Sequence, residues 1–116
     1  MTGELDRSAD AVELQPGQRL RSQVCATELI VTRAPRGQIS LSCGGHPLVA
    51  LGADRGISGP PAPGFAQGTE LGKRYRHVNS DGSILEVLVT KAGAGSLAAD
   101  GRCLAMLEPR VLPASD

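Results

Sequence analysis

Tryptophan is absent from the chain, and Phe65 and Tyr75 are its only aromatic side chains. Recognition of bases, sugars and flavin rings leans on aromatic faces, so a stacking platform of more than one or two rings is excluded. Cysteine is scarce as well. Cys25, Cys43 and Cys103 form an odd, widely spaced set, which argues against a disulfide framework. No charge sign dominates, since twelve basic residues cancel twelve acidic ones. Without a strong overall field to gather a polyanion, nucleic acid is not expected as a partner. No apolar run approaches the roughly 18 residues of a membrane-crossing helix. The opening Met1-Thr2-Gly3-Glu4-Leu5-Asp6 is acidic and lacks a signal-peptide core. The expectation is a cytoplasmic protein that does not engage a membrane.

What is present is aliphatic and repeated. Leu, Ile and Val number 26 among 116 residues, which lies clear of disordered composition and allows one buried core. The segment Glu28-Leu29-Ile30-Val31-Thr32-Arg33-Ala34 returns as Glu86-Val87-Leu88-Val89-Thr90-Lys91-Ala92. Each copy is an acid, an apolar run, a threonine, a base and an alanine, and each reads as a strand buried on both faces.

The surrounding text repeats too. Leu20, Ser22 and Val24 alternate with Arg19, Arg21, Gln23 and Cys25, the period of a half-buried strand. Ala34-Pro35-Arg36-Gly37 is a turn, Ile39 and Leu41 belong to a third strand, and Gly44-Gly45 predicts a primed hairpin turn before a fourth strand, Pro47 to Leu51. After the Pro/Gly-rich stretch 52–67, Gly68-Thr69-Glu70-Leu71 echoes Gly17-Gln18-Arg19-Leu20, and Tyr75 takes the place of Val24. Asp81-Gly82 predicts a two-residue hairpin, and Asp100-Gly101-Arg102-Cys103-Leu104 matches Gly44-Gly45-His46-Pro47-Leu48.

The expected fold is therefore all-β with little or no helix: two four-stranded units related by a pseudo-two-fold axis, closed into a small barrel or a two-layer sandwich. A flexible acidic arm (1–16) precedes one duplicated domain (17–107), built from repeat one (17–51), the loop (52–67) and repeat two (68–107). An extended tail (108–116) follows.

Four groupings carry candidate chemistry. Cys43-Gly44-Gly45-His46 has C-x-x-H spacing, and with Cys25 and His77 it makes a set suited to zinc or another transition metal, although only one ligand pair is close. The same Cys25 and Cys43 serve equally well as small buried hydrophobes, or as a redox pair whose pKa is lowered by Arg21 or His46. The run Lys73-Arg74-Tyr75-Arg76, with Arg21 from the related strand, suits a phosphate or carboxylate, or else a solvated strand face with Leu71 and Tyr75 turned inward. Glu28 and Glu86 hold matching places and would form paired acids if they met near the symmetry axis. Ala92-Gly93-Ala94-Gly95 is a hairpin turn and no phosphate loop, because neither a following helix nor Lys-Ser/Thr accompanies it.

No nucleophile–base–orienter set can be assembled from these residues. The expected function is a non-catalytic binding or accessory subunit with a protein partner or a second copy of itself. The alternatives are a metal or thiol domain built on Cys25, Cys43 and His46, and a small-anion binder using the Arg74/Arg76 face.

Overall fold

The computed structural model describes residues 11–107. Most of the expected N-terminal arm and all of the expected tail lie outside them. Twelve strands follow in order: β1 Val12–Glu13, β2 Arg19–Arg21, β3 Glu28–Arg33, β4 Gln38–Ile39, β5 Leu41–Cys43 and β6 His46–Pro47. Then come β7 Val49–Ala50, β8 Arg74–Val78, β9 Ile84–Lys91, β10 Leu97–Ala99, β11 Arg102–Cys103 and β12 Ala105–Met106. Among the described residues there is no helix. The strands form three antiparallel sheets, ordered β1-β4, β11-β10-β5-β6 and β12-β8-β9-β3-β2-β7. Among the described residues no ladder joins β12 to β7, so the large sheet is open and no closed barrel is formed.

The two copies of the apolar run pair with each other at the centre of the large sheet. Leu29 faces Val89, Ile30 faces Leu88 and Val31 faces Val87, with a register shift at either end of this short ladder. Several backbone bonds on one side of this central pair recur on the other. Gly17 N–H donates to Val31 O at 2.7 Å, as Gly72 N–H does to Val89 O at 2.9 Å. Leu51 N–H reaches Arg19 O at 3.1 Å, and Leu107 N–H reaches Arg74 O at 2.8 Å. Leu20 lies opposite Leu29 and Tyr75 opposite Val87, so the counterpart of Tyr75 is Leu20 and not Val24. The same shift exposes Leu71, expected inside, to 66%.

Each expected fourth strand splits in two. β6 and β11 belong to the four-stranded sheet, whereas β7 and β12 edge the large one. The chain changes sheets at Leu48 and Leu104, which are tied back by N–H bonds to Leu41 O (3.1 Å) and Leu97 O (3.0 Å). One buried cluster draws Leu20, Leu29, Val31, Tyr75, Leu85, Val87 and Val89 from the large sheet and Leu41, Cys43, Leu97 and Ala99 from the smaller. Fully burying such a Leu or Val contributes about 1.5–3 kcal/mol, enough for an aliphatic core to hold without aromatics. Leu14 joins this cluster beside β1, which pairs with β4, so 11–15 is fastened to the domain.

Turn chemistry explains the remaining differences. Gly44 and Gly45 have φ of 66° and 87°, the two positive angles a primed turn needs, and Asp100 and Gly101 repeat them at 50° and 85°. The β8–β9 hairpin is longer than its Asp-Gly suggested. Asn79 N–H bonds Ser83 O at 2.9 Å around three residues, with Gly82 at φ 85°. Strand β2 stops at Arg21 because the Ser22 hydroxyl accepts from the N–H groups of both Val24 and Cys25 at 3.1 Å, bending the chain. The 52–67 loop runs over the surface, anchored by Ala62 N–H to Gly44 O at 2.8 Å and Gly56 N–H to Gln23 Oε1 at 2.8 Å.

Candidate functional site

Two places collect the residues with chemical potential. The first is the junction of the Ser22–Thr27 bend with the end of β5. Cys25 sits on the bend because Ser22 captures its N–H, and Cys43 is fixed at the end of β5 by pairing with Leu97 and His46. Their Sγ atoms are 3.8 Å apart and both thiols are free. Cys43 is fully buried and Cys25 half-buried.

Around Cys25, Gly95 N–H donates to Sγ at 3.3 Å and Thr27 Oγ1 lies 3.2 Å away. Thr27 in turn bonds Thr69 Oγ1 at 2.9 Å. Gly95 can come this close only as glycine, since a Cβ there would meet Gly44 N at 2.8 Å and Cys43 Sγ at 3.1 Å. Burial opposes ionisation of Cys25, but hydrogen bonds from Ser22, Thr27 and the backbone at Thr27 and Gly95 outweigh it, holding the thiol at about 7. Cys43 goes the other way, pushed up to about 12 by burial and by the neighbouring Cys25.

The second place is the solvent-side face of the large sheet. Leu20, Leu29, Val31, Tyr75, Val87 and Val89 point inside; burial alternates along β2 and the first four residues of β3, while Leu85, Glu86 and Val87 of β9 are buried in succession. The opposite face carries an unbroken cross-strand row, Arg19–Ile30–Leu88–Arg74. Arg21 faces Glu28 at one corner and Arg76 faces Glu86 at the diagonal one. Glu86 is 8% exposed and paired with Arg76 Nη2 at 3.5 Å and Arg74 Nε at 4.0 Å. Thr32 donates its hydroxyl to the Glu86 carbonyl at 3.0 Å. Glu28 makes no ion pair among the described residues. Arg21 Nη2 donates to the carbonyl of Ala53. Among the described residues two buried side-chain polar atoms lack a hydrogen-bond partner, Arg21 Nε and Arg76 Nε, and these are counterparts.

The sequence-derived groupings fare differently. Cys25 and Cys43 come together. His46 lies opposite Cys43 across the Gly44-Gly45 turn, while His77 lies on β8 opposite Leu85 in the other sheet. Among the described residues no three His, Cys, Asp or Glu side chains gather around a common point. Arg21, Arg74 and Arg76 share the open face, but strands β3 and β9 lie between Arg21 and the other two. Lys73 precedes β8 and gives its carbonyl to Val89 N–H at 3.0 Å. Glu28 and Glu86 do not meet. They cap opposite ends of the β3–β9 ladder, facing Lys91 and Arg33, because antiparallel pairing of two copies sends matching residues to opposite ends.

The groups that act on Cys25 are not the expected Arg21 or His46. Ser22 and Thr27 are legible in hindsight from the Ser-x-x-Cys-x-Thr spacing, since Ser and Thr near a bend bond the backbone and one another. Gly95 lies 70 residues away and carries no local signal. Compared with protein-family models, curated proteins and solved structures, the chain matches none.

Proposed function

We propose that the protein is a non-catalytic binding module: an internally duplicated two-layer β-sandwich whose large sheet presents its open face to an acidic protein partner. Duplication is supported by the palindromic strand order and by the matching bonds of the two halves. The two-layer reading is supported by a buried cluster that draws on both larger sheets.

The observation that carries the binding reading is the pair Arg21 Nε and Arg76 Nε. Among the described residues both are buried donors without a protein acceptor, at counterpart positions on one face. A buried N–H left unpaired costs about 1–3 kcal/mol, so a bound state in which the two guanidiniums turn outward to a partner's acceptors would relieve that cost. Arg19, Arg21, Arg74 and Arg76 outnumber Glu28 and Glu86 on this face, which leaves it locally basic although the whole chain is neutral. Carboxylates match guanidinium geometry, and Ile30 and Leu88 offer an apolar centre between the charged corners. Two copies meeting through this face would bring like charge against like, so a different, acidic partner fits better than self-association.

The test is titration of the protein with a short polyglutamate peptide at low and high salt, alongside an Arg21→Gln/Arg76→Gln variant. Binding that weakens with salt and falls at least several-fold in the variant is the expected result. Equal binding by the variant, or no binding at low salt, would overturn the reading.

A further inference from the structure

We infer that Cys25 and Cys43 form a dithiol that exchanges electrons with low-molecular-weight disulfides, Cys25 taking up the incoming sulfur and Cys43, 3.8 Å behind it, resolving the mixed disulfide. The site is separate from the open sheet face and does not depend on it.

Geometry sets the roles. Cys25 is half-buried on a bend outside every ladder, so it can both meet a small reagent and shift. Cys43 is fully buried and locked between β10 and β6, so no external reagent reaches it directly. Closing the sulfur–sulfur distance to the roughly 2.05 Å of a disulfide therefore falls to the bend, by a movement of less than about 2 Å. Packing alone does not call for sulfur at Cys43, because its counterpart in the second half is Ala99. The Gly95 N–H donates to Cys25 Sγ and supports negative charge on the attacking sulfur, while the Thr27 hydroxyl accepts from the thiol at 3.2 Å. The low pKa of Cys25 and the high one of Cys43 agree with that order of events.

The steps balance. The Cys25 thiolate attacks one sulfur of R–S–S–R, forming Cys25–S–S–R and releasing R–S⁻. As the bend moves toward it, Cys43 gives up its proton to water, and its sulfur attacks Cys25 Sγ and expels the second R–S⁻; the two released thiolates take up protons from solvent. The protein loses two electrons as two thiols become one disulfide, and the reagent gains them as one disulfide becomes two thiols. A small reagent is specified because the resolving sulfur has no exposed surface.

The experiment treats the full chain carrying Cys103→Ser, which removes the exposed third thiol, with oxidised glutathione. Acid quenching, alkylation and intact-mass measurement follow. The expected product has both remaining thiols blocked from alkylation, is lighter by two hydrogens and retains no glutathione. Adding Cys43→Ala, which copies Ala99, should halt the reaction at a glutathione adduct on Cys25. Adding Cys25→Ser should leave Cys43 free. The proposal is overturned if the Cys103→Ser chain stops at the mixed disulfide, stays reduced, or reacts as readily without Cys25. The Cys103→Ser chain decides the matter even if Cys43→Ala fails to fold.

Discussion

Glu28 and Glu86 occupy matching places in the repeated segment, yet one is a partly exposed residue without an ion pair among the described residues and the other is enclosed by Arg74, Arg76 and Thr32. The backbone treats them alike. The difference lies in what packs around each, so the two sites share a geometry but not an energy.

That difference can be measured. Glu86→Ala should destabilise the protein by about 1–3 kcal/mol, because it strips the acceptors from a partly buried Arg76. Glu28→Ala, which removes no observed pair, should cost under about 0.5 kcal/mol. Urea unfolding of both variants against the parent compares them directly, and equal losses would show that the Arg74–Arg76–Glu86 cluster contributes nothing.

Gly95→Ala tests the close approach that builds the thiol site. The added methyl would meet the Gly44 backbone at 2.8 Å and 3.0 Å, atoms that cannot swing aside. We expect a loss of about 1–3 kcal/mol in thermal or denaturant unfolding, with faster alkylation of Cys43 as the Gly95 turn packed against it is displaced. Gly52→Ala, whose methyl would meet nothing within 4 Å, should be close to silent.

Alkylation of Cys25 should rise through a midpoint near pH 7, whereas a free thiol has an ordinary value of 9.0. Thr27→Val removes one of the bonds to the sulfur and should move that midpoint upward. The profile is read by mass spectrometry on Cys103→Ser protein with iodoacetamide. A midpoint that stays near 9 in the parent would show that Ser22, Thr27 and Gly95 do not hold the thiolate.

Stability should follow pH through the same two thiols, with opposite signs. The Cys25 pKa is lowered on folding, so its contribution is complete above about 9 and is lost as pH falls through about 7. The Cys43 pKa is raised, so its contribution is complete below about 9 and is lost as pH rises toward 12. Chemical unfolding of the Cys103→Ser chain should thus show a gain between pH 7 and 9 that Cys25→Ala abolishes. It should also show a loss above 9 that Cys43→Ala reduces.

Much of the architecture was written locally. Alternating and continuous apolar runs, glycine pairs at turns and a repeated seven-residue phrase sufficed for an all-β chain with Glu28–Arg33 and Ile84–Lys91 at its centre. These features depend on near neighbours along the chain, where periodicity and turn propensity act. Packing decided the rest. Tyr75 took the place of Leu20, Leu71 went to solvent, and the two acids were sent to opposite ends of one ladder. Each outcome depends on register, and a shift in strand register changes which residues face one another. The thiol pair is the sharpest case. Cys25 and Cys43 were visible from the start, but their 3.8 Å separation and the Gly95 N–H beside them exist only because bend, strand and distant turn converge. Aliphatic burial, which stabilises that convergence, depends on total apolar area and leaves no mark at the residues it brings together.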